Sequence, residues 1–545
     1  MSPKEAWYRY MNSMIYNPQE EYDEKFKSLH ADNTAKFLDE LVSRSGVNIE
    51  ENRKTVKEYD ELGEFLKKLR KKLNLWRFLR VLAIITIILI PLVILKITPK
   101  IKAMREEIAQ AEKKAAELLA LAHEQMAPLC ALFTDRDALT IIESTIPSLS
   151  FASCFTVDQE SDMTVNYDFD DRDNNEQSAV DVLAGQYNEN PFLFENKRIH
   201  RMGQETYHGY KTIHWTEHYR GSDGKMHTRT RSQTLHATLV KPKPFYRTQV
   251  VLYYCAQGGP ELSFTRNATH LERMNDKEIE KYIKKGEKRL DKLTDDAIRD
   301  NRDFMSMSNT DFEVLFDALD RTDEVQFRTL FTPLAQTNMV DLIRSGTGYG
   351  DDFDFIKHNR TNKIITEHSQ GRAILLSPAD YVSYSFDIIK DNFTRKNADF
   401  FKAVYFDFAP LWAIPVYQER PVHSLKPIPD YAQKYSCDEC EALANMVSPE
   451  QVVHPQTKTP AILKSSFVRS ADAADEINVT AYSYDIEKRM DLVAVFGGDG
   501  RYHNVPVEWD EYLPLEQNKT FFVATAQEAE SRNILAQRHS ICIFN

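Results

Sequence analysis

The chain holds six cysteines in 545 residues, with 17 glycines and 22 prolines. So few cysteines exclude a disulfide-stapled scaffold. So little glycine and proline excludes collagen-like and low-complexity chains. No repeat of solenoid period stands in the sequence. The local signatures of chemistry are missing as well: there is no GxSxG, no HExxH, and no glycine-rich loop ending in a phosphate-binding lysine.

Of the three segments 1–75, 76–105 and 106–545, only the middle one carries net positive charge. The net charge is −13; residues 1–75 carry 14 basic and 14 acidic side chains, residues 76–105 carry six basic and none acidic, and residues 106–545 are left with −19. An acidic body of that size argues against nucleic acid as a partner, because neutralising phosphates needs Lys and Arg. Apolar residues at 42% and charged residues at 28% describe a globular chain, long enough for several domains.

The apolar residues peak in "RVLAIITIILIPLVILK", 80–96, where the fifteen positions from Val81 to Leu95 carry no charge. Fifteen helical residues span about 22 Å at ~1.5 Å each, short of a ~30 Å hydrocarbon core. Arg80 and Lys96 can snorkel, and Trp76 suits an interface. The stretch predicts one uncleaved transmembrane helix over 76–98, with the lipid bilayer as a partner. Seven Lys and Arg lie in the fifteen residues before Val81 and four in the fifteen after Leu95. That bias predicts a single-pass protein of the cell membrane, with the N-terminus cytoplasmic and the soluble domain outside. A second apolar stretch, 404–417, contains Asp407, Pro410 and Pro415 and reads as a buried strand and turn.

The predicted fold class is α+β. Residues 1–75 form an N-terminal helical segment, with Val56, Tyr59, Leu62, Leu66, Leu69, Leu73 and Trp76 on one face. Residues 99–147 form a helical stalk. Its seam (Ile101, Met104, Ile108, Ala111, Ala115, Leu118, Ala122) predicts coiled-coil self-association or a protein partner. Residues 148–272 read as a β-rich domain with a hairpin over 210–240, turning at Gly221-Ser222-Asp223-Gly224. Residues 273–545 read as a mixed α+β domain. There, Thr332, Pro333 and Gly346 mark the cap, first turn and stop of a helix.

Three groups of residues have the chemistry of a divalent-metal site; no other cofactor is suggested. Six of the fifteen histidines fall between His200 and His236. A hairpin centred on Ser222-Asp223 sets His218 opposite His227 with His214 on the same face, three imidazoles that can bind zinc. Arg229 and Arg231 on that face repel a cation, and a solvated polar face explains the same pattern. Cys437 and Cys440 form one CxxC, with His423 and His454 each fourteen residues away. The acids around them disfavour a thiolate; besides a metal site the pair can form a disulfide, and incidental thiols are the simpler reading. Asp351, Asp352 and Asp354 follow a glycine-rich helix stop and can hold Mg²⁺ or Ca²⁺, or form only an acidic loop. In "DFDDRDNNE" an EF-hand begun at Asp171 meets Glu176 where glycine is required and Val182 where glutamate is, so that motif is rejected.

"RTDEVQFRTLFTPLAQTNMVDLI", "YGDDFDFIKHN" and "YFDFAPLWAIPVYQ" resemble an uncharacterised family of conserved bacterial membrane-anchored proteins of Firmicutes and mycoplasmas, over roughly 200–420. The resemblance implies an N-terminal anchor and a large soluble part, and supplies no catalytic residues. The expected function is that of a single-pass, membrane-anchored scaffold or interaction protein of the bacterial envelope without a catalytic centre. The alternatives are a membrane-tethered metal-dependent hydrolase and a sensor or binding module for a small anionic ligand.

Overall fold

The computed structural model describes residues 14–85, 93–169, 175–222, 224–300, 304–346, 348–421, 434–470 and 474–524. It divides into two units. One is helical and joins Glu20–Pro147 to Leu375–Tyr405; the other holds the described parts of Met1–Gln19, Ser148–Ile374 and Phe406–Asn545.

In the helical unit, helices Ile49–Ile85 and Thr98–Cys130 form an antiparallel pair. The stripe Leu66, Leu69, Leu73 meets Ile97, Ile101, Ile108 and Ala111, with Leu62, Trp76, Met104 and Ala115 at its margins. Three- and four-residue spacing on both helices produces this seam, and a buried leucine contributes about 1.5–3 kcal/mol. Arg70 donates to Glu112 at 2.6 Å, and the Lys100 ammonium sits 4.4 Å from the Trp76 ring centre. The surface expected to self-associate as a coiled coil is thus covered from within the chain. Deeper in the unit, Leu38, Leu41, Met126 and Phe133 pack on Tyr381, Phe386, Ile389 and Phe393. Asn52 ties the two segments together: its side chain donates to the Tyr384 carbonyl at 2.9 Å and accepts from the Phe386 amide at 3.0 Å.

This arrangement corrects the membrane assignment. Among the described residues no helix is long and apolar enough to cross a membrane. Residues 86–92 of the expected span lie outside the described residues. The flanks overturn the single-pass topology on their own. A lone span would put residues 66–76 and 97–112 on opposite sides of a bilayer, yet they are packed against each other. The membrane localisation with a cytoplasmic N-terminus and an external body falls with it.

The other unit is built on antiparallel sheet, so the chain mixes helix and strand in the expected α+β manner. A seven-stranded sheet runs β1-β2-β3-β4-β7-β6-β5 and a three-stranded sheet runs β10-β9-β8. Their ranges are β1 Leu149–Phe151, β2 Gln177–Tyr187, β3 Asn190–Arg220, β4 Met226–Cys255, β5 Ser263–Arg266, β6 Phe353–His358, β7 Thr361–Thr366, β8 Ile462–Ser470, β9 Ala474–Phe496 and β10 Tyr502–Ala524. The β3–β4 hairpin is far longer than the 210–240 expected, with strands of 31 and 30 residues. It packs against the β9–β10 hairpin through Ile213, Leu235, Ala237, Val505 and Val507. Gly209 lets the ribbons approach: a Cβ there would strike the main chain of Pro506.

Helix Pro333–Arg344 begins and ends as its sequence predicts. The Thr332 hydroxyl accepts from the Ala335 amide at 3.4 Å, and Gly346 takes φ 64° just past the end. The 404–417 reading is corrected: these residues finish helix Phe386–Trp412 and continue into a short 3-10 turn, Pro415–Gln418. The segment is buried on all sides, so its apolar pattern distinguishes neither period.

Candidate functional site

The structure separates the histidine trio. Cross-strand partners on β3 and β4 run Trp215↔Arg231, His218↔Thr228 and Tyr219↔His227. That is one residue away from the register assumed above, because the turn closes from the Gly221 amide to the Lys225 carbonyl at 2.9 Å. A shift of one residue exchanges the faces of a strand. His214 and His218 remain on the outer face. His227 moves to the opposite one, its ring 5.7 Å from that of Tyr219. The contact that the pattern missed is His208 Nδ1 to His236 Nε2 at 2.9 Å, with Tyr210 stacked on His236.

The outer face of this ribbon has its own character. From His208 to His218 and from Thr228 to Thr238, six facing pairs present six threonines, four histidines, one tyrosine and one serine. Every one is exposed, and none is Asp, Glu, Lys or Arg.

Cys437 and Cys440 occupy the first turn of helix Cys437–Asn445. Cys437 is exposed and Cys440 is buried. Burial, and then the neighbouring Cys437 and Glu439, push the Cys440 thiol well above its usual range. That disfavours the thiolate a metal needs. His423 lies outside the described residues, and His454 turns back to accept from the Gln456 amide at 3.2 Å. Asp171 also lies outside them.

The three aspartates point to three different tasks. Asp351 is fully buried and accepts from Arg266, from the Thr269 hydroxyl at 2.6 Å and from the Leu271 amide at 2.6 Å. Asp354 accepts from the Ala268 amide at 2.9 Å. Asp352 Oδ2 accepts from the His368 amide at 2.9 Å and meets the His368 ring Nδ1 at 2.6 Å. Among the described residues no group of three or more His, Cys, Asp or Glu could hold a metal ion.

Asp352 opens onto a network that the sequence did not reveal. His368 Nε2 lies 3.2 Å from Asp407 Oδ1. Asp407 also accepts from the hydroxyls of Thr366 at 2.6 Å and Ser369 at 2.7 Å, and from Arg372 at 2.7 Å. Burial works against charge on His368, but Asp407 and Asp352 outweigh it and raise its pKa to about 9. Burial alone would raise Asp407; the His368 imidazolium and the Arg372 guanidinium hold it below the usual carboxylate range. The Tyr349 ring covers the imidazole at 4.6 Å.

Beside the network lies a cleft of 380 Å³. It forms where two strands part. β4 pairs with β7 only from Leu252 to Cys255. Beyond that, the Gln370 side chain bonds the amide and carbonyl of Val250 at 3.1 and 3.2 Å. Further along β4, Arg247 and Gln249 line the opening together with Asp352, Asp354 and Glu367.

Comparison with protein-family models, with curated proteins and with solved structures finds no match for this chain.

Proposed function

We propose that this chain is a non-enzymatic scaffold or interaction protein, and that the outer face of the β3–β4 ribbon is its principal contact surface. The carrying observation is the run of twelve exposed, hydrogen-bonding residues without Asp, Glu, Lys or Arg, backed by the second ribbon. Such a face has no carboxylate, ammonium or guanidinium to desolvate and a donor or acceptor at every position, which suits a protein partner rather than a polyanion. The His368 network supports the non-enzymatic reading. A charged imidazole gives its protons to two carboxylates, and both nearby hydroxyls donate to Asp407, so among the described residues of this network no free base stands beside a nucleophile.

The test is proximity labelling in the native host with wild type and with a Thr212→Arg/Thr230→Arg variant. The expected result is loss of a defined set of labelled proteins with an unchanged melting temperature. An identical labelling profile would remove the face from the proposal.

A lipid surface is a second partner favoured by a specific observation. Leu75, Phe78, Val81 and Leu95 are 58, 63, 56 and 76% exposed, close in sequence to Arg77 and Lys96. Apolar side chains among cations suit one face of an anionic bilayer and require no crossing. Flotation with anionic and with neutral vesicles distinguishes this contact; co-flotation with neither rejects it.

A further inference from the structure

The cleft at the β4–β7 fork contains two groups with opposite and unmet needs. Asp352 is 4% exposed and lines the cleft. Its Oδ2 is engaged by His368, while its Oδ1 accepts no hydrogen bond among the described residues. A buried carboxylate oxygen without a donor is costly, and such atoms in folded proteins almost always have a partner. Arg247, which also lines the cleft, is exposed and makes no ion pair among the described residues.

The other charges at the site are already met. Glu367 takes Arg273 at 2.8 Å and lies 3.5 Å from His270 Nε2. Asp354 accepts from Ala268, and Asp407 is balanced by His368 and Arg372. What remains is one carboxylate oxygen without a donor and one guanidinium without an ion pair, on two residues that line a space at the small end of ligand pockets, which run from ~300 to ~1,000 Å³. A bare cation would satisfy Asp352 and leave Arg247 unpaired. A bare carboxylate would do the reverse and would also face Asp352 and Asp354.

We propose that this cleft binds a small zwitterion, an amino acid in the broad sense, with its ammonium group on Asp352 and its carboxylate on Arg247. The proposal does not rest on the reading of the ribbon face. His368 serves here as a positioning residue: it fixes Oδ2 of Asp352 from behind and leaves Oδ1 to the ligand. Arg247 supplies bidentate geometry for a carboxylate.

The test uses the full chain. Thermal shift, followed by calorimetry, is run with the proteinogenic amino acids and with an ω-amino acid series from glycine to aminohexanoate. The matched alkylamines, the matched carboxylates, MgCl₂ and CaCl₂ complete the panel. At least one zwitterion is expected to raise the melting temperature and to bind more tightly than its amine and its acid. Arg247→Gln is expected to weaken that zwitterion about tenfold or more while leaving the matched amine unchanged. Asp352→Asn is expected to remove both. Because Asp352 also holds His368, the exposed Arg247 variant carries the decision if the Asn variant folds poorly. The proposal is overturned if no zwitterion binds, if an amine or a divalent cation binds as tightly, or if Arg247→Gln changes nothing.

Discussion

Arg70 and Glu112 form an ion pair at 2.6 Å across two antiparallel helices, although the most apolar run of the chain lies between them in sequence. Both side chains are about half exposed, so the pair itself adds little to stability. Its importance is geometric: it places the residues before and after that run on one side.

The first prediction follows from that placement. Single cysteines introduced at Lys68 and at Lys114, in a cysteine-free background, should react equally with a membrane-impermeant maleimide in any vesicle preparation. Labelling of one position without the other would contradict the paired helices.

The seam beneath this pair is the energetic part. Leu69 is 6% exposed and belongs to the seam that also holds Ile108 and Ala111. Leu69→Ala should cost roughly 2–4 kcal/mol, the usual range for a buried leucine. Urea unfolding followed by far-UV circular dichroism measures it, and a loss below about 0.5 kcal/mol would mean that the seam is not formed in solution.

The two sides of the β3–β4 ribbon should respond in opposite ways. Ile213 is 7% exposed and faces Val505 and Val507, so Ile213→Ala should lose roughly 2–4 kcal/mol. His214 next to it is exposed, so His214→Ala should stay within about 0.5 kcal/mol. His227→Ala, on an exposed position beside Tyr219, belongs with the second class. Equal losses for Ile213 and His214 would overturn the assignment of the ribbon's buried and exposed faces.

His368 sets a pH dependence whose sign is fixed by its pKa of about 9, above the ordinary value of 6.5. The folded chain keeps a proton that the unfolded chain releases between those values. The stability it adds is therefore complete below pH 6.5 and declines as pH rises toward 9, by on the order of 3 kcal/mol. His368→Gln should flatten that slope. Denaturant midpoints at several pH values, read from a near-UV aromatic signal, measure it.

His30 should behave in the reverse sense. Burial lowers its pKa from 6.5 to about 4, opposed in part by its bond to the Asn397 carbonyl at 3.2 Å. The ring is 1% exposed and stacks on Phe401 at 4.0 Å. Here the unfolded chain gains the proton first. Stability present above pH 6.5 is lost as pH falls toward 4, again on the order of 3 kcal/mol. His30→Gln should lower the overall stability and remove this acid slope. A wild-type stability that stays flat from pH 6.5 to 4 would count against the buried neutral ring.

The sequence was most legible where a signal is local. Thr332 and Gly346 bound their helix because capping and a positive φ need only a few neighbours. The heptad spacing of Ile101 to Ala115 correctly marked a packing seam, but spacing does not say whether the partner is another chain or the helix before it. The apolar run at 81–95 showed its composition and not its return path. The hairpin was visible, yet its register depended on one added residue in the turn. The His368 network was the least legible part. It joins Asp352, His368 and Asp407, the last of which stands in a helix read beforehand as a strand and turn. No spacing rule connects three segments this far apart in the chain.

The division into units has a consequence during synthesis. The helical unit is interrupted: its first part ends at Pro147 and its last part, Leu375–Tyr405, emerges only after Ser148–Ile374 has been made. At about 5–20 residues per second that interval is on the order of ten to forty-five seconds. Throughout it, Leu38, Leu41, Met126 and Phe133 wait on the ribosome without Tyr381, Phe386, Ile389 and Phe393, the side chains that will cover them. The nascent chain thus carries an open apolar surface while Ser148–Ile374 is being made, which makes the first 147 residues the natural client of a holding chaperone and leaves a truncated product ending before Leu375 prone to aggregate.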